Sequence, residues 1–257
     1  MPECQTPAIV LSVRDLGEAD LLVTFLTPGQ GRVTGVAKHA KKSRRRFPHC
    51  LEPLSRVDFF LSSRPGRELE FIHKGELVRL FPTLRRDLKR LAAAAVLGEL
   101  AGLLAAPPEA TRRIFSTLEA ALERLDTGAP PDSLLPGFML RLLTLGGYGP
   151  RLEACISCSG EPGAPLYFSV PRGAILCSQC YREAAGPLLA LSPGAWKLLR
   201  LAQGLEPEKL SRLRFPGPQR DQSLALLQAF LRHHLGRRLK SWPFWDKVAA
   251  KETPNPG

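Results

Sequence analysis

Histidine, methionine and tyrosine are scarce in this chain of 257 residues, with five, two and three copies. The five histidines are scattered and none stands with clustered carboxylates, so general acid–base chemistry has few parts to work with. No GxSxG or HExxH occurs, and no GxxxxGK[ST] phosphate loop. The segment GQGRVTGVAK at 29–38 is glycine-rich, but it has no Gly-Lys pair, and Thr34 stands where a GxGxxG pattern requires glycine. The chain is therefore read as a non-enzyme. No apolar run reaches the roughly 20 residues that cross a bilayer. The longest, 91–106, is interrupted by Glu99 and reads as a core helix. The opening MPECQTPAIVL lacks the basic start and small-residue cleavage site of a signal peptide, which leads to the expectation of a cytoplasmic protein without a membrane partner. Aromatic residues are few as well, at 7%, which limits any surface built on ring stacking.

Acidic residues are missing from one stretch altogether. Between Leu21 and Leu51 there is none, while Arg32, Lys38, Lys41, Lys42, Arg44, Arg45 and Arg46 all fall there. Over the whole chain 36 Lys and Arg stand against 24 Asp and Glu, a net charge of +12. So basic a balance suggests a polyanionic partner, nucleic acid before membrane. The plain alternative is a solvated loop in an arginine-rich chain. Phosphate contact through such a run would release counterions and be strongly salt-dependent. Dense arginine beside sparse aromatics (Phe47, Phe59, Phe60 and Phe71 are the candidates) argues for backbone contact with little reading of sequence.

The chain reads as α+β with several domains. Short β-branched runs at 8–13, 21–26, 31–37, 56–61 and 68–77, separated by turn signals such as TPGQG and SSRPGR, predict five strands within about 80 residues, enough for a small barrel. From Pro82 the apolar spacing changes to three and four, which predicts helices broken at 107–108 and 128–132. A third helix is expected over 132–145, ending at Gly146 and Gly147. Helices resume at Ser192, an N-cap followed by Pro193, and a last one is expected over 218–235. The expected division is a nucleic-acid-binding barrel at 1–80, helical segments at 81–150 and 187–245 forming one domain, a cysteine ribbon at 151–186 and a loose tail at 246–257.

The most specific motif is CISC at 155–158 and CSQC at 177–180, with 18 residues between the pairs. Two residues between cysteines let one tight knuckle present both sulfurs to one ion, and two knuckles complete a tetrahedron. Cys155, Cys158, Cys177 and Cys180 are thus read as a structural zinc site, with an iron–sulfur centre or no metal as alternatives. The PLYFSVPRGAILC segment between them reads as a short hairpin. Cys4 and Cys50 are isolated and read as plain thiols. A second basic face lies between Trp196 and Lys247, with eleven Lys or Arg against four Asp or Glu and with Trp196, Phe230, Trp242, Phe244 and Trp245 nearby. It suits an acidic, partly apolar peptide or a further DNA contact, or simply marks a helix with a cationic C-terminus.

With these parts in order, the chain resembles the RecO family of bacterial recombination mediators. AIVLSVRDLGEADLLVTFLTPGQGRVTGVAKHAKKSRRRF carries most of the likeness, joined by the helical middle, the CISC…CSQC insertion and the closing HHLGRRLKSW. The likeness covers about residues 5–242, and His39 stands where the family pattern has glycine. It implies an N-terminal OB-fold barrel, then a helical domain with an embedded Cys4 zinc ribbon. It also implies a mediator that binds single- and double-stranded DNA, anneals complementary strands, and acts with RecR to load RecA onto strands covered by single-stranded DNA-binding protein (SSB), whose acidic C-terminal tail is a further expected partner. The residues expected to contact phosphates are Lys38, Lys41, Lys42, Arg44, Arg45 and Arg46, with Arg32 and Arg14. Two other readings share these features: a zinc-ribbon RNA-binding or ribosome-associated factor, and a scaffold for acidic protein tails.

Overall fold

The computed structural model describes residues 4–43, 45–62, 69–105 and 108–250. The expected start of the fifth strand at Glu68, most of SSRPGR, Arg44, Pro107 and the end of the expected tail lie outside the described residues.

Five strands form a closed barrel: β1 (Cys4–Leu16), β2 (Asp20–Thr27), β3 (Gly31–Ala37), β4 (Arg56–Ser62) and β5 (Glu70–Arg79). They join in the order β1-β2-β3-β5-β4, and β4 closes back on β1. All pairs are antiparallel except β3 with β5, so the barrel is OB-like. Alternation decides its interior. Val23 and Phe25 on β2, Val57, Phe59 and Leu61 on β4, and Ile72 on β5 point inward and are buried. The rings of Phe25 and Phe59 meet edge-on, 4.9 Å apart. Register shifts in β5 and a glycine at 75 let the strand close. A Cβ at Gly75 would lie 2.6 Å from Cys50 Sγ and 3.0 Å from the Phe59 ring.

Three helices follow: α1 (Pro82–Arg86), α2 (Leu88–Leu104) and α3 (Pro108–Asp126). The sequence predicts one helix from Pro82 to the 107–108 break. The Asp87 carboxylate instead accepts the N–H groups of Lys89 and Arg90 at 2.9 and 3.0 Å, which caps α2 and ends α1 before it. These helices pack on one another and against β1, β2 and β3. Arg56 at the start of β4 pairs with Glu119 of α3 at 2.9 Å, and Arg79 at the end of β5 pairs with Glu123. Compact packing accordingly groups the chain up to Gly128, together with the described residues from Phe244, into one unit, whereas the sequence drew its first boundary after residue 80. The long helices lie at the barrel end where β3 begins: a Cβ at Gly31 would be 3.1 Å from the Ala105 carbonyl oxygen at the end of α2, and Arg56 and Arg79 reach α3.

The second unit spans 129–243. Here α5 (Pro193–Gly204), α6 (Pro207–Leu210) and α7 (Gly217–His234) pack around α4 (Pro131–Leu145), which is buried continuously from Leu134 to Leu143. Ser192 Oγ accepts the Ala195 N–H at 3.2 Å, the cap predicted for α5. A small sheet, in the order β7-β6-β8, is made by β6 (Leu166–Ser169), β7 (Ala174–Leu176) and β8 (Leu188–Leu191). The strand β8 was not foreseen from the sequence, and residues 246–250, expected as loose tail, instead belong to the closing helix α8 (Trp242–Ala250), which from Phe244 on groups with the first unit.

Candidate nucleic-acid interface and metal centre

The basic run leaves the barrel at the end of β3 and is folded tightly onto it. His39 takes a left-handed conformation, φ 52°, where a side chain is disfavoured and glycine is at ease. Its N–H donates to Asp20 Oδ1 at 2.7 Å. Residues Ala40–Lys42 then make a single 3-10 turn. Lys41 closes it onto the β1–β2 turn: its N–H donates to the Ala19 carbonyl at 3.2 Å, and its ammonium reaches the Gly17 carbonyl at 3.1 Å and Asp15 Oδ1 at 3.0 Å. Arg46 ties the loop to itself, donating to the Lys38 carbonyl at 2.6 Å, and its own carbonyl accepts the Gly75 N–H at 2.8 Å. Ala40, Phe47 and Cys50 enter the barrel core. Burial pushes the Cys50 thiol up to about 11, so it is held neutral.

Of the residues expected to contact phosphate, Lys38, Lys41, Lys42 and Arg45 are exposed on this loop and Arg46 is half-buried. Arg14, exposed near the end of β1, is a neighbour of Asp15, to which Lys41 is bound. Arg44 lies outside the described residues. Arg32 is exposed but pairs with Leu26 at the other end of β3. It is six positions from Lys38 along extended chain, roughly 20 Å, so the fold does not bring it to the run. The sequence also missed the loop's acidic neighbours. The stretch from Leu21 to Leu51 carries no carboxylate, yet Asp15 and Asp20, from just before it, anchor the loop. Their partners are 26 and 19 positions away, and no local pattern marks such a pairing.

The four motif cysteines come together in the second unit, their sulfurs all within 4.8 Å of one another. Cys158 and Cys177 Sγ are 3.8 Å apart, the separation set by a tetrahedral ion with bonds of about 2.3 Å. The first knuckle is closed by the Ser159 N–H on the Cys155 carbonyl at 2.8 Å, the second by the Tyr181 N–H on the Cys177 carbonyl at 3.2 Å. The predicted hairpin is β6 and β7, with Phe168 opposite Ile175. Tyr167 and Tyr181 stack over this region, 4.1 Å apart and nearly parallel. Burial raises the Cys155 thiol, but N–H donors of Cys177, Cys158 and Ser157 outweigh it and bring it down to about 6. The Cys180 and Gln179 N–H groups lower Cys177, whereas Cys180, against the Cys177 and Cys158 sulfurs, is pushed up to about 12. Four thiolates this close repel unless a cation lies among them, so the donor set fits a thiophilic metal ion.

Most aromatics of the C-terminal basic face belong to the interior, and Phe244 is half-buried. Trp196, Phe230, Trp242 and Trp245 are buried, and the Trp196 indole N–H donates to the Leu152 carbonyl at 2.7 Å. No helix among the described residues is long and apolar enough to cross a membrane.

Comparison with known proteins agrees over nearly the whole chain. Two family models match, Recombination protein O N terminal over residues 1–81 and Recombination protein O C terminal over 85–243. Proteins named DNA repair protein RecO are similar throughout. The one from Syntrophus aciditrophicus is 32% identical over 247 residues, 95% of each chain. That of Anaeromyxobacter dehalogenans is 36% identical, over 96% of this chain and 98% of the relative. That of Myxococcus xanthus is 37% identical, over 94% and 96%.

Proposed function

The chain belongs to the RecO family of DNA repair proteins, and from that premise we propose that it is a recombination mediator acting on DNA strands through the basic run that follows β3 of its barrel. It binds single- and double-stranded DNA, anneals complementary strands and, with RecR, helps to load RecA onto strands covered by SSB. The observation that carries this reading is the loop from Lys38 to Arg46, cationic and pinned at both ends to the barrel. Arg14, Lys38, Lys42, Arg45 and Arg46 supply the phosphate contacts, with Lys41 shared between DNA and Asp15. Arg44 belongs to the same run, and Arg32 makes at most a separate contact.

Annealing needs two polyanions brought together with their repulsion neutralised. Charge density on a fixed scaffold provides this, and no bond in the DNA has to be made or broken, so the protein acts as a mediator and not as an enzyme. The ion we assign to Cys155, Cys158, Cys177 and Cys180 is zinc. Four sulfurs fill its shell, so its role is to hold the ribbon together. The acidic tail of SSB is a further partner, and the protein works in the cytoplasm at the nucleoid.

Fluorescence anisotropy with labelled oligo-dT, a duplex and a structured RNA, in moderate salt, tests the reading. Tight binding of both DNAs is expected. A clear preference for structured RNA would favour an RNA-binding factor carrying the same ribbon, and binding of acidic peptides without any DNA would favour a protein scaffold.

A further inference from the structure

Four phenylalanines were candidates for contact with bases, and the fold sorts them. Phe47 and Phe59 are buried in the barrel. Phe60 and Phe71 stand half-buried on the outer face of β4 and β5. Phe71 lies opposite Val36 of β3 on one side and Ser62 of β4 on the other. Two residues beyond Val36 is Lys38, the first residue of the basic run, and its ammonium sits over the Phe71 ring, 5.9 Å from the centroid. His73 braces the ring from another side at 4.5 Å and 70°, and is itself held by a 2.8 Å hydrogen bond to Ser62 Oγ. A steadied aromatic ring therefore lies at the root of the cationic loop.

Phe60 differs in one respect. The Lys74 ammonium over it, at 4.6 Å, is held at 2.6 Å by Glu76, which places a carboxylate beside that ring and opposes an approaching phosphate.

We infer that Phe71 is a base-stacking platform for single-stranded DNA, with Lys38 moving from the ring face to a phosphate of the bound strand. An exposed cation–π contact is weaker than a base–aromatic stack, so a base displaces the ammonium. The displaced charge is not wasted, because the phosphates of the same strand lie within reach of it. A duplex offers no unstacked base, so this contact gives the site a preference for single strands that the cationic loop alone does not give. The inference rests on the DNA-binding reading above and adds to it the part of the strand that is recognised.

The test compares binding of oligo-dT with that of an abasic oligonucleotide of equal length, at one salt concentration, for the intact protein and for Phe71→Leu, Phe71→Tyr and Phe60→Leu. Leucine keeps an apolar side chain but has no ring face. The intact protein, Phe71→Tyr and Phe60→Leu should prefer oligo-dT over the abasic strand by about tenfold. Phe71→Leu should bind both equally, with duplex affinity unchanged. Persistence of the oligo-dT preference in Phe71→Leu overturns the platform while leaving DNA binding intact. Equal binding of both strands by the intact protein overturns it without any variant. Failure of the intact protein to bind either strand or the duplex overturns the DNA-binding reading and the platform with it.

Discussion

Neutralising the basic run should change the salt dependence of DNA binding by an amount that the structure allows to be worked out. Lys38, Lys42 and Arg45 are exposed on the loop, whereas Lys41 is engaged by Asp15 and Arg46 by the Lys38 carbonyl. Three cations released to phosphates contribute a slope of about 2 in log K against log salt for a single strand, at roughly 0.7 per contact. Replacing all three by alanine should therefore weaken oligo-dT binding at 50 mM salt and flatten the slope by about 2, so the variant loses roughly 20-fold less affinity than the intact protein between 50 and 200 mM. Asp15→Asn makes the opposite prediction. The Lys41–Asp15 pair is a surface one, with Asp15 76% exposed, so breaking it costs stability no more than about 1 kcal/mol. It frees one further cation, Lys41, and the slope should steepen by up to about 0.7. Anisotropy titrations over a salt series measure both. An unchanged slope in the triple variant would refute the placing of the phosphate site on this loop, whatever happened to the affinity.

The Cys50 thiol, pushed up to about 11 by burial, stays protonated in the fold after an unfolded thiol, near 9, has ionised. Stability linked to it is therefore fully present below about pH 9 and lost as pH rises towards 11, by about 2–3 kcal/mol. Urea unfolding of the intact protein and Cys50→Ala at pH 8 and 10.5 should show a smaller alkaline loss in the variant, and parallel losses would contradict this. Gly75→Ala should destabilise the first unit by roughly 1–3 kcal/mol, because its Cβ meets Cys50 Sγ and the Phe59 ring. Adding Cys50→Ala should recover part of that loss, which a double-mutant cycle in denaturant would measure. Removing the proposed zinc with a chelator, or Cys155→Ser, should abolish amide protection between 155 and 180 while leaving the barrel amides protected, as read by hydrogen exchange. Retained protection in a metal-free protein would show that the ribbon stands on its own small core.

What could be read from the sequence follows the range of the interactions. The barrel strands were legible because alternation has a fixed period and TPGQG marks a turn by local chemistry. The cysteine site was legible because two-residue spacing is a property of one knuckle. Adjacent Phe59 and Phe60 must face opposite ways on a strand, so one of them had to be outside. Phe47 lies in a loop without period, and nothing local showed that it enters the core. The carboxylates that pin the basic run could not be seen either, since Asp15 and Asp20 reach it only across the β1–β2–β3 pairing. The helices α1–α3 read as part of a continuous helical domain, and their attachment to the barrel depends on pairs such as Arg56 with Glu119, 63 positions apart.

The most direct measurement of the central claim is the rate at which two complementary oligonucleotides anneal, without nucleotide, in the presence of the intact protein and of the variant lacking Lys38, Lys42 and Arg45. Mediation by the basic run predicts marked acceleration by the intact protein, suppressed by rising salt and largely lost in the variant. Strands that anneal no faster with the intact protein than without it, although it binds them, would contradict the account.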